Sequence, residues 1–153
     1  MRLPVHLVLG ALVAAALPAL QPVAASAQAA VRFYADSGDS CFHGITEGTL
    51  DWPAGPVIRP TVKVDGYLSD DAALSPCARD GMYSSAVFHA YNGTTLVDSE
   101  TYKADDAQVP LSFSLSDPAG VAAIDRVVVQ VCRFSGSPIG VSYCGKAAEY
   151  KMP

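Results

Sequence analysis

Beyond residue 30 the sequence has little that suggests chemistry. Only two histidines, His43 and His89, lie after residue 29, so bases able to activate a nucleophile are scarce. No G-x-S-x-G, H-E-x-x-H or phosphate-cradling glycine loop occurs. No C-x-x-C pair occurs either, and the wide spacing of the four cysteines argues against a structural zinc site. After residue 29 nine basic residues face fifteen acidic ones, a net charge of −6. That balance suits neither nucleic acid nor anionic lipid. No helix is persuasive anywhere after residue 30. The absences leave no signature for an enzyme and imply no cofactor.

The N-terminal residues 1–29 read as an address. Arg2 provides a positive start, and an apolar run from Leu7 to Leu20 is broken only by Gly10 and Pro18. Ala25-Ser26-Ala27 and Ala27-Gln28-Ala29 both fit a small-x-small cleavage site, which favours a secretory signal peptide over a membrane anchor. The C-terminal Glu149-Tyr150-Lys151-Met152-Pro153 has no apolar tail or anchor motif. The expected product is one soluble, secreted domain over residues 30–153, not inserted in a membrane. The alanine- and valine-rich, lysine-poor composition resembles that of a bacterial exported protein.

What the chain does have is β pattern. Arg126-Val127-Val128-Val129-Gln130-Val131-Cys132-Arg133 puts Val127, Val129 and Val131 on one apolar face, as in a central strand. Similar alternation recurs over 49–52, 62–68, 83–91, 94–103, 109–115 and 141–150, with turn chemistry between. In 62–68, Val62, Val64 and Leu68 share a face. Pro110 should stand at the start of a strand or on an edge. Val31–Tyr34 is an additional edge strand, and 53–60, with three prolines, is an extended connection. Asn92-Gly93 between β-prone runs predicts a type I′ hairpin turn. Asn92-Gly93-Thr94 also matches a glycosylation sequon, but the turn explains the same residues. The fold class expected is all-β: one immunoglobulin- or fibronectin-III-like antiparallel sandwich of seven to eight strands, a small barrel being the competitor.

Four cysteines in an exported chain, Cys41, Cys77, Cys132 and Cys144, imply two disulfides. Alternating strand order puts all four at one pole. Cys132 and Cys144 fall opposite each other across the final hairpin, so the expected pairs are Cys132–Cys144 and Cys41–Cys77. The second and sixth strands lack the core disulfide of a true immunoglobulin domain, since 62–68 has no cysteine and Cys132 sits opposite the valine face. Any likeness is therefore one of architecture and carries no function.

Site candidates are few, and each has a plainer reading. His89 alternates with Val87 and Tyr91 and reads as a sheet-surface residue. His43, near Asp36 and Asp39 in a cysteine-bearing loop, is the better catalytic or metal candidate. Asp70, Asp71 and Asp80 could gather round calcium at the disulfide pole, although turn aspartates need no ligand. Tyr67, Tyr83, Tyr91 and Tyr143 could face outward and stack on sugar, while Trp52 belongs to the core. Phe134–Gly140, closed by Cys132–Cys144, and the 53–60 segment have the rigidity of protease-inhibitor loops. The leading expectation is a secreted, non-enzymatic module that binds an extracellular protein or envelope component through its disulfide pole. Protease inhibition is the alternative, and carbohydrate binding comes third.

Overall fold

The computed structural model describes residues 30–39, 44–53, 61–70 and 81–153. The expectations for 1–29, Cys41, His43, Asp71, Cys77, Asp80 and nearly all of 53–60 lie outside the described residues.

The β-branched run becomes β7 (Arg126–Ser135), whose Val127, Val129 and Val131 are fully buried. Its partners are β4 (Met82–Asn92) on one side, and on the other β8 (Tyr143–Cys144) followed by β9 (Ala148–Lys151). Beyond β4 lies β5 (Thr95–Ala104), completing one antiparallel sheet in the order β5-β4-β7-β8, with β9 also on β7. The other sheet is β1 (Val31–Asp36), β2 (Gly44–Asp51), β3 (Thr61–Asp70) and β6 (Gln108–Ser116), in the order β1-β2-β3-β6. Both sheets are antiparallel, and no helix occurs among the described residues.

Period-two alternation decides what lies between the sheets. Val62, Val64 and Leu68 of β3 meet Phe33, Leu50 and Leu115 of the same sheet and Ala86, Phe88 and Val129 of the other. Phe88 takes Phe33 and Phe113 edge-on, with ring centroids 5.5 and 5.2 Å apart. Trp52 lies in this core, and its Nε1 donates to the Ile124 carbonyl at 3.0 Å. Pro110 stands in β6, an edge strand, where its missing N–H is tolerated.

Three expectations need correction. The second strand runs over Gly44–Asp51, not 49–52, because β3 gives every residue of that span a register partner and β1 pairs Ile45 to Leu50 from the other side. The hairpin turn is Gly93-Thr94, since Asn92 pairs with Thr95. Positive φ is needed only at Gly93 (57°), the signature of a type II′ turn and not of I′. A register shift after Ala90, which leaves Val97 unpaired on β5, accommodates the slip. Finally, the expected 141–150 strand is broken into β8 and β9 at Gly145-Lys146-Ala147.

That break has a steric reason. A Cβ at Gly145 would collide with the Asp36 carbonyl, so the end of β1 lies directly against the bulge. Further along the same edge, the Tyr150 hydroxyl accepts the Tyr34 N–H (2.8 Å) and donates to the Tyr34 carbonyl (2.7 Å). One side chain thus satisfies both outward backbone groups of an edge residue.

Candidate functional site

β7 continues inward-facing past its valines. The next residue on that face is Arg133, whose side chain is 2% exposed. A guanidinium remains charged wherever it is placed, so it must find anions. Its Nη2 lies 3.2 Å from Oδ1 of Asp70, itself buried at the end of β3, and its Nη1 lies 3.7 Å from Oδ2 of Asp39. The Ser84 hydroxyl donates to Asp70 Oδ1 at 2.5 Å, and the Asp106 N–H donates to Oδ2 at 3.1 Å. Asp39 accepts from the Ser37 hydroxyl at 2.6 Å and from the Tyr143 hydroxyl at 3.4 Å. Burial, followed by the Asp39 carboxylate, raises the Tyr143 phenol above its ordinary value. Gly44 closes over the group, where a Cβ would crowd the Ser84 hydroxyl and Val131.

This network ties β1, β3, β4, β7 and β8 together at one pole. Directly outside it is the disulfide. Cys132 and Cys144 are register partners and are bonded, with Cα atoms 3.9 Å apart. Cys132 faces away from the valines, as expected. The bond closes the loop between β7 and β8. Within it Ser135 Oγ accepts the Ser137 N–H at 3.0 Å, and the Gly140 N–H returns to the Ser137 carbonyl at 3.0 Å. Ser137-Pro138-Ile139-Gly140 is therefore a β-turn with proline at its second position. Ile139 has negative φ, which makes the turn type I and not type II. The Gly136 N–H fastens the loop to the Gly81 carbonyl at 2.9 Å. At the tip Ile139 is 95% exposed and Val141 77%.

The other candidates separate. Asp70 has both carboxylate oxygens engaged by Arg133, Ser84 and the Asp106 amide, an arrangement that explains its burial without calcium. Among the described residues no group of three His, Cys, Asp or Glu side chains could hold a metal. His89 lies on the outer face of its sheet beside Tyr91, and its Nδ1 has no hydrogen-bond partner among the described residues. Tyr83 stacks on Phe134 (5.5 Å) with Lys103 over its ring at 3.8 Å, and Arg126 covers Tyr91 at 4.3 Å. Tyr67 faces outward from β3 and donates to Glu47 Oε1 at 2.6 Å, a bond that raises its phenol above the ordinary range.

Arg133 was missing from the candidates, and Asp39 entered only as a neighbour of His43. Continuing the alternation of Val127, Val129 and Val131 by two residues would have placed Arg133 inside. Nothing in the sequence indicated its partners. At the opposite pole Asp117 accepts the N–H groups of Ala119, Val121 and Ala122, and Asp125 accepts that of Gly93. Both organise loops. No protein-family model matches the chain, and searches of curated proteins and of solved structures return no match.

Proposed function

We propose that this is a secreted, non-enzymatic binding module that engages an extracellular protein or envelope component through the pole bearing Cys132–Cys144. The observation that carries this reading is the β7–β8 loop. A disulfide and a buried ion network fix its base, while its tip exposes Ile139 and Val141. Exposed apolar side chains on a rigid turn gain burial on binding at small entropic cost, which makes them suitable anchors. The disulfide suits an oxidising compartment, in keeping with a signal peptide over 1–29.

The fold we assign is the fibronectin-III or immunoglobulin sandwich. The order β2-β3-β6 facing β5-β4-β7-β8 corresponds to A-B-E facing C′-C-F-G, with β1 added at the edge. The disulfide on the outer face and Trp52 after the first of those strands, not on the C strand, depart from the immunoglobulin pattern. The second pair, Cys41–Cys77, belongs to the same proposal.

Protease inhibition through this loop is a second reading, favoured by the same clamp. It ranks lower because a protease cleft binds extended backbone, whereas Pro138-Ile139 forms a type I turn.

The test compares capture from spent medium and solubilised envelope by the oxidised protein and by an Ile139→Asp/Val141→Asp variant with the same thermal midpoint. A partner retained by the parent and lost by the variant supports the loop. Identical retention by both refutes it.

A further inference from the structure

The outer face of the β1-β2-β3-β6 sheet carries a second feature, remote from the disulfide-clamped loop. Cross-strand pairing puts Tyr34, Glu47 and Tyr67 in one row and Arg32, Thr49 and Asp65 in the next. Between the rows runs a trough of about 270 Å³, floored by Gly48 and Gly66 and walled by Glu47 and Tyr67 on one side and Arg32 and Thr49 on the other. The two glycines are register partners, and a Cβ on either would strike the backbone of the opposite strand, so close approach of β2 and β3 builds the floor.

The surroundings limit what could lie there. β2 is paired on both sides, so no strand can be added by backbone bonding, and recognition must come from side chains. The trough is far too small for a protein interface. Arg32 and Lys63 share this outer face with Asp36, Glu47, Asp51 and Asp65, so the balance is acidic and offers no positive patch for phosphate or anionic lipid. What remains is an aromatic ring beside a carboxylate, a guanidinium and a hydroxyl, which together offer donors and acceptors in balance. A neutral polyhydroxyl ligand with an apolar ring face matches that set. Tyr34, 45% exposed, ends the same row two strand spacings from Tyr67, about 10 Å. A single sugar ring cannot reach both tyrosines. An extended chain can.

We propose that this trough binds an extended, ribbon-like oligosaccharide, with Tyr67 and Tyr34 stacking on successive parts of the chain and Arg32, Glu47 and Thr49 bonding its hydroxyls. Asp65 is already held by the Ser112 hydroxyl at 2.9 Å and borders the site.

The test is an amide NMR titration of the oxidised protein with chitotetraose and cellotetraose, and with maltotetraose as a helically coiled control. One of the first two should produce saturable shifts at Arg32, Gly48, Gly66 and Tyr67 at millimolar concentration. Tyr67→Ala, checked for an unchanged thermal midpoint, should weaken binding about tenfold. Tyr67→Phe, which keeps the ring, should bind within a small factor of the parent. The proposal is overturned by an absence of saturable shifts with both extended probes, by shifts centred elsewhere, by an equal or stronger response to maltotetraose, or by Phe and Ala variants equally impaired.

Discussion

Replacing Arg133 by methionine tests the buried network directly. The change keeps most of the side-chain volume and removes the cation, leaving Asp70 buried with only Ser84 and the Asp106 amide as donors among its described contacts. Removing one partner of a buried ion pair costs about 3–5 kcal/mol. The remaining donors put this case near about 3 kcal/mol, a large part of a total stability of about 5–15 kcal/mol. In a domain of this size that lowers the melting midpoint by roughly 10 °C. The assay is urea unfolding of oxidised protein, read as a shift in midpoint at constant slope. Asp70→Asn should be destabilising too. The double variant should cost less than the sum by about 1.5 kcal/mol or more, since the two side chains share one interaction. Because the pair is dry, that coupling should survive 1 M salt, about a 3 Å screening length, where an exposed pair such as Arg126–Glu149 would lose its own. A cost below about 1 kcal/mol for Arg133→Met, with no coupling to Asp70, would refute the reasoning.

Three further outcomes are expected. Replacing Cys132 and Cys144 together by alanine should cost about 3 kcal/mol by loop entropy over a separation of 12 residues, measured by the same urea titration. Tyr150→Phe should destabilise by about 1 kcal/mol and speed hydrogen exchange at the Tyr34 amide, with the amides of β5, at the far edge of the other sheet, unaffected in relative order. Three backbone N–H groups hold the Asp117 carboxyl below its ordinary 3.8. A group lowered on folding stabilises above its unfolded value and loses that contribution as pH falls through its folded value. The stability gap between the parent and Asp117→Ala should therefore be full near neutral pH and shrink below pH 3.8, and a gap constant down to pH 2 would contradict this.

Much of the fold was legible because alternation records burial. Val127, Val129 and Val131, the 62–68 face and Trp52 all lie where their pattern put them, and Cys132 meets Cys144 because hairpin register follows from short loops. The turn was legible as a place but not as a type. Asn-Gly favours I′, yet Asn92 stays in the ladder and sends its side-chain amide to the Ala123 carbonyl at 2.6 Å, a contact 31 residues away. β2 was read as half its length because Gly44, Glu47 and Gly48 are weak strand formers, and neighbours on both sides override that weakness.

Composition and short-range pattern therefore determined the class of elements, the valine face at the centre and the outward placement of Cys132, since each depends on residues adjacent or alternate in the chain. The ion network, the glycine-floored trough, the Tyr150 contact on β1 and the break at Gly145 were decided by the tertiary structure alone. Each joins residues from strands far apart in sequence, and one-dimensional periodicity carries information about which face a side chain takes but none about which strand lies opposite.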